Sequence, residues 1–185
     1  MIDILLVLLA VAVVVVVWGI LIYNRLVRLR NLVLEGWSGI DVQLKRRSNL
    51  IPNLIKTVKG YMGHERGVLK EVTELRTRSM AAGAPGEKGR IEGALSRSLT
   101  SLFAVAENYP DLKANQNFID LQDQLAEIED QIQLARRHYN GATRNLNIAV
   151  ESFPSNIVAR MFSFVLAEFF EIDDAEDRAV PEVEF

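Results

Sequence analysis

The first hydrophobic stretch of the chain has no polar side. Ile4 to Ile22 carries no charged residue and is dominated by Val, Leu and Ile. Nineteen residues at 1.5 Å of rise each reach about 28 Å, close to the hydrocarbon thickness of a bilayer. A core helix of a small soluble domain keeps a polar face, so this run predicts a membrane-spanning helix. From Asn24 the pattern changes without a turn cluster in between. Leu26, Val33, Trp37, Ile40, Leu44, Ile51, Leu54, Val58 and Tyr61 form one stripe at spacings of three and four, interrupted by Arg30 and Arg47. One helix is therefore predicted to leave the membrane and continue to about Met62. Pro52 should kink it, and Gly60 and Gly63 should end it.

Three more helices follow by the same periodicity. The second runs from about Glu65 to Met80 with Val68, Val72 and Leu75 inward, and Ala81 to Gly89 reads as a loop from its Gly and Pro content. The third runs from about Arg90 to Asn108 on Ile91, Leu95, Leu99, Leu102 and Ala106, and Tyr109-Pro110-Asp111 ends it, with Asp111 placed to cap the next. In the fourth, Phe118, Leu121, Leu125, Ile128, Ile132, Ala135, Tyr139, Ala142, Leu146, Ala149 and Phe153 alternate three and four apart without a break. This 3.5-residue repeat predicts a left-handed, coiled-coil-like packing seam, with Ala135, Ala142 and Ala149 allowing close approach and Pro154 stopping the helix. The predicted class is all-α: an N-terminal transmembrane helix continuous with an antiparallel four-helix bundle of long helices. The chain divides into an anchor (1–24), a cytoplasmic bundle (25–153), a short apolar helix (154–170) and an acidic tail (171–185). The first helix beyond the anchor and the fourth are both about 38 residues, roughly 57 Å. The fourth should thus return to the bilayer surface. Two places are open to the Phe-rich 154–170 stretch: against the bundle or a neighbouring subunit, or in the membrane interface.

Charge sets a direction for the anchor. Arg25, Arg28 and Arg30 stand just after the span and no Lys or Arg stands before it. The positive-inside rule puts the N-terminus outside and the body in the cytoplasm, a single-pass protein of the cell inner membrane. Trp18 and Tyr23 fall where interfacial aromatics belong, and the three arginines are suited to anionic headgroups. A cleavable leader is disfavoured, because no basic segment precedes the apolar run and no small-x-small site follows it. The net charge is −3, from 24 acids and 21 bases. Seven acids and one base lie in the tail, which leaves 17 against 20 elsewhere. No basic stripe of the kind that binds nucleic acid appears beyond the membrane flank. Cys is absent, which excludes a thiol nucleophile, a zinc-thiolate site and a lipidated Cys.

Candidate chemistry is sparse. His64 lacks a second His four residues on, and His138 beside Tyr139 reads as a helix-flank residue. Gly83 to Gly89 lacks the Gly-Lys-Ser/Thr order of a phosphate loop. Gly36 and Gly39 read as places of close helix approach. Asp123, Glu127 and Asp130 lie at i, i+4 and i+7, but bundle metal sites use inward Glu-x-x-His pairs. With Glu129, Arg136 and Arg137 they read as a solvated face or an inter-subunit edge. Asn115 and Asn117 read as capping residues. No catalytic, cofactor-binding or metal-binding residue is predicted, and no cofactor.

The motifs themselves carry a likeness. Tyr109-Pro110-Asp111-Leu112-Lys113-Ala114-Asn115-Gln116-Asn117-Phe118, Leu121-Gln122, Arg136-Arg137-His138-Tyr139-Asn140, Phe153-Pro154-Ser155-Asn156-Ile157, Asn49-Leu50-Ile51-Pro52-Asn53-Leu54 and the ending Val180-Pro181-Glu182-Val183-Glu184-Phe185 resemble the LemA family of bacterial membrane proteins. The resemblance spans nearly the whole chain. It implies an N-terminal anchor, an antiparallel helical bundle and an association with the bacterial envelope, often with encoding near membrane peptidase or envelope-stress genes, and it implies no reaction. The expected function is non-enzymatic: a self-associating membrane scaffold linked to envelope maintenance or stress. Its partners would be the lipid bilayer and sibling subunits in a homo-oligomer. The alternative is an adaptor or sensor that binds a membrane partner such as a peptidase through the acidic tail, with Val183 and Phe185 as contacts.

Overall fold

The computed structural model describes residues 1–62 and 65–171. Among these are six helices and no strand: α1 (Ile2–Lys59), α2 (Arg66–Ala81), α3 (Pro85–Ala106), α4 (Pro110–Lys113), α5 (Gln116–Glu151) and α6 (Ser155–Met161). The fold is all-α, with a long apolar helix at its N-terminus. α1 is a single helix of 58 residues that passes through Pro52, with Asp3 in its first turn and Lys56 and Lys59 in its last. These charges complement the helix dipole at both ends. The most apolar window of α1 has a mean hydropathy of 3.3 and none of it is buried. Apolar surface on that scale is stable only against lipid, and the chain is a membrane protein.

The chain divides into two compact units. The first comprises Met1–Gly39 and Ala135–Glu168. Its core joins Leu26 of α1 to Ala149 of α5 and to Val158 and Ala159 of α6, with Ile22, Leu29, Val150 and Phe164 around them. Farther along, Trp37 meets Tyr139 with ring centroids 5.6 Å apart. Gly36 makes this approach close: a Cβ there would stand 3.0 Å from the Tyr139 Cα. The other glycine expected to do so, Gly39, has nothing within 4 Å of such an atom. Gly36→Val should therefore destabilise the chain by about 1–3 kcal/mol, since the obstacle is backbone and yields little. Gly39→Val should cost far less. Thermal melts of the two variants in detergent, read by circular dichroism, check the difference.

The second unit comprises Ile40–Leu134 with residues 169–171 of the described chain. Here four helices share one core: Ile51, Leu54 and Val58 from α1, Leu69, Val72 and Leu75 from α2, Ile91, Leu95, Leu99 and Leu102 from α3, and Phe118, Leu121 and Leu125 from α5. Leu69, one position on from the expected Val68, is the fully buried residue of its turn, while Val68 packs at the margin.

Three boundaries differ from the sequence reading. The 81–89 loop shrinks to residues 82–84, because Pro85 opens α3 instead of breaking it. A proline in the first turn lacks only a donor that would be unpaired there anyway, and Glu87 adds a favourable charge in the same turn. Gly89 is then a buried helical residue, and a Cβ on it would run into the backbone carbonyl of Glu171. Asp111 is not the cap of the long helix. It lies inside the one-turn α4, and Asn115 caps α5 by accepting the Phe118 N–H at 3.2 Å. Finally, the 154–170 stretch is helical only over Ser155–Met161 and continues as non-helical chain from Phe164 to Phe170. The stop is a Schellman motif. Ser163 takes a left-handed φ of 56°, its N–H reaches the Arg160 carbonyl at 3.3 Å, and the Phe164 N–H reaches that of Ala159 at 2.9 Å.

The seam of α5 is spent within its own chain. Phe118, Leu121, Leu125, Ile128 and Ile132 are buried in the stretch that belongs to the second unit. Tyr139, Ala142, Leu146 and Ala149 are buried in the stretch that belongs to the first, and Ala135 is half-buried.

Candidate functional site: the collar beside the apolar span

α1 carries Trp18 near the end of the apolar run and Tyr23, Arg25, Arg28 and Arg30 just past it, all of them exposed. Chain returning from α6 closes on this stretch. The Tyr23 ring lies 4.7 Å from Phe162 and 5.9 Å from Phe164, centroid to centroid. The Arg30 guanidinium sits over the Phe164 ring at 5.4 Å, a cation–π contact that explains how a charge can interrupt the apolar stripe of α1. Arg25 and Arg28 complete the basic flank.

Two side chains of α5 hold the returning chain. Asn147 Oδ1 accepts the Ala167 N–H at 2.8 Å while its Nδ2 donates to the Ala167 carbonyl at 3.0 Å. Tyr139 donates its hydroxyl to the Glu168 carbonyl at 2.7 Å. Burial pushes the Tyr139 phenol above its ordinary value, against an opposing effect of Thr143, and the nearby Glu168 charge adds to the rise. The chain turns back after α6, in a hook, at Ser163, whose conformation favours glycine. Ser163→Gly is expected to stabilise the chain by roughly 0.5–1 kcal/mol through relief of the left-handed backbone. A small rise in Tm checks it.

The other exception in the apolar stripe, Arg47, is the largest of the fully buried side chains. It forms a charged cluster inside the second unit. Nη2 donates to the Glu92 carboxylate, which also accepts the Ser79 hydroxyl. Nη1 donates to Glu129 Oε2 at 2.6 Å and to Ser96 Oγ at 2.8 Å. Arg47 and Glu92 are each 1% exposed, whereas the Glu129 side chain is 33% exposed. Glu129 therefore does not belong to the solvated face to which the sequence reading gave it: it turns toward Arg47, and Gln133 supports its other oxygen at 3.0 Å. Nearby, Asp41 binds Lys45 at 2.7 Å and Lys88 at 3.1 Å. Lys45 first, and then Lys88 against the opposing effect of burial, hold its carboxyl below the ordinary range.

The remaining candidates are dispersed. Asp123, Glu127 and Asp130 are exposed, and so is His138. Among the described residues no three His, Cys, Asp or Glu side chains converge on a point that could hold a metal ion. His64, and the tail with Val183 and Phe185, lie outside the described residues. The Asn147 clamp and the Arg47 cluster were missed from sequence. The only signal of either was Arg47 standing in an otherwise apolar stripe.

The model of the LemA family matches residues 36–185, and the chain belongs to that family. It is also similar to magnetosome protein MamQ 2 of Paramagnetospirillum magneticum strain AMB-1, 26% identical over 85% of this chain and 68% of the relative. Magnetosome protein MamQ of Magnetospirillum gryphiswaldense is 22% identical over the same shares. Protein LemA of Metamycoplasma hominis is 26% identical over 83% of this chain and 70% of the relative.

Proposed function

We propose that this LemA-family chain is a non-catalytic scaffold, held in the cytoplasmic membrane by α1 with its N-terminus outside and its body in the cytoplasm, which self-associates there in envelope maintenance or stress. The observation that carries the reading is the continuity of α1. One helix supplies the apolar span and, farther on, Leu26, Ile51, Leu54 and Val58 to buried cores. A protein built this way ties its body to the bilayer through one continuous helix, as a scaffold requires. The orientation rests on Arg25, Arg28 and Arg30. Self-association draws on exposed aliphatic residues away from the span, Leu34 and Val42 of α1 and Leu134 and Ile148 of α5, because the α5 seam is already covered. Relatives named for a cellular structure, the magnetosome, rather than for a reaction support this reading.

Light scattering of the full chain in mild detergent tests the assembly. A mass above one copy that persists on dilution is expected, and a strict monomer at every concentration overturns self-association. The adaptor reading is favoured by the concentration of seven acids in residues 171–185. Deleting residues 179–185 should then remove a membrane partner from a pull-down, and an unchanged partner set would show the tail to be inert.

A further inference from the structure

The hook formed by α6 and the chain after it is apolar on both sides. Its inner side is accounted for: Val158 and Ala159 are buried against Leu26, and Phe164 lies among Tyr23, Leu26 and Arg30. Its outer side is not. Phe153 is 79% exposed, Val165 76% and Met161 72%, and Ile157, Phe162 and Leu166 are each more than half exposed. Six large apolar side chains uncovered within fourteen residues form a patch that water alone would not leave standing.

The place of the patch decides what covers it. Phe162 and Phe164 pack against Tyr23, tilted and edge-on, one residue beyond the apolar run that ends at Ile22, and the hook reaches along α1 as far as Arg30. Eight residues of helix rise about 12 Å, so the hook occupies the level at which α1 leaves hydrocarbon for headgroups. At that same level stand exposed Arg25 and Arg28, with Arg160 exposed on the hook itself. Exposed aliphatic and Phe side chains beside guanidinium groups match the boundary of an anionic phospholipid leaflet, where apolar residues enter the acyl region and bases pair with phosphates.

We propose that residues 153–166 are a second membrane-binding element, seated in the interfacial layer of the leaflet on the Arg25 side, with Phe153, Ile157, Met161, Phe162, Val165 and Leu166 immersed. The proposal rests on the reading of α1 as a span. It makes the chain a two-point anchor: α1 crosses the bilayer, and the hook fixes the tilt and rotation of the helix at its exit. The Asn147 and Tyr139 bonds to the chain at Ala167 and Glu168 hold the hook in that position.

The absence of Cys in the chain makes the test direct. Met161→Cys, Val165→Cys, Val14→Cys and Met80→Cys are each spin-labelled in the full chain and reconstituted in vesicles of phosphatidylcholine and phosphatidylglycerol. Collision rates with oxygen, which partitions into lipid, and with a water-soluble nickel chelate are then measured. The label at position 14 reports the span, and the one at position 80, on exposed α2, serves as the aqueous reference. Positions 161 and 165 should show an oxygen-to-nickel ratio several-fold above that at position 80 and shallower than that at position 14. A ratio equal to that at position 80, with position 14 still in lipid, overturns the hook and leaves the span intact. Low collision rates with both reagents, with dipolar broadening between labels, would mean that a second copy covers the patch, and this also overturns it. An aqueous position 14 overturns the span and the hook together.

Discussion

Arg47→Ala is expected to lower stability by about 3–5 kcal/mol, because it removes the cation paired with a carboxylate that has no route to water. Glu92 is 1% exposed, and its remaining partner is the Ser79 hydroxyl. Glu129 suffers less, since it is partly solvated and keeps Gln133. For a chain of this size the loss corresponds to a fall in Tm on the order of 10 °C. Two companions separate the charge effect from lost packing. Arg47→Lys keeps the charge but cannot reach Glu92, Ser96 and Glu129 together with a single ammonium, so it should fall between parent and Arg47→Ala. The double replacement of Arg47→Met with Glu92→Leu removes both buried charges and should recover most of the stability, as apolar substitutes for buried ion pairs commonly do. If the double variant is as unstable as Arg47→Ala, the cluster matters for its shape and not for its charge balance. All are read as thermal melts of the full chain in one detergent.

The cluster also shows where a sequence reading stops. The helices were legible because their signals are local: an uninterrupted apolar run, the stripe of α1, and the three-four alternation from Phe118 to Ala149. Each needs only neighbours a turn or two away. Arg47 was legible only as an anomaly. Its partners stand 45 and 82 residues off, and spacing along one helix does not say which faces of other helices will meet it. The same limit governs the glycines. Gly36 and Gly39 look alike in sequence, yet only Gly36 stands under the Tyr139 backbone. Two differences are of another kind and lie in local chemistry. Pro85 and Gly89 have the composition of a loop, yet proline suits a first helical turn and the glycine is required by the passing backbone of Glu171. Asp111 and Asn115 are both competent caps, and the short α4, which takes up Asp111, leaves Asn115 to cap α5. In the collar, the flanking residues Tyr23 and Arg30 and a Phe-rich stretch free to pack on the bundle are legible, but not that Phe162 and Phe164 meet Tyr23 and Arg30. Its geometry depends on Ser163 adopting a backbone conformation that its sequence does not favour.

The second large effect is expected at Ala142, a seam position with an exposure of 8% between Tyr139 and Leu146, themselves buried. Ala142→Asp places a carboxylate there with no Lys or Arg three or four residues away on α5, where the buried Tyr139 and Leu146 and the exposed His138 and Asn145 stand. At neutral pH the cost should be about 3 kcal/mol, the penalty of an uncompensated charge in a packed seam. The pH dependence identifies the cause. Burial raises the folded-state pKa of the introduced carboxyl above its unfolded value of about 4. The unfolded chain therefore ionises first as pH rises, and stability is lost as pH passes upward through the folded-state pKa. The deficit should be largest at pH 7 and above and shrink as pH falls toward 4, leaving only the strain of added volume. Ala142→Asn carries nearly the same volume without a titrating group, so its deficit relative to the parent should stay level over the same range. Melts of both variants at pH 7.5 and 4.5 would show converging curves. A constant gap between Asp and Asn variants would mean that position 142 reaches water, and that the α5 seam is open there.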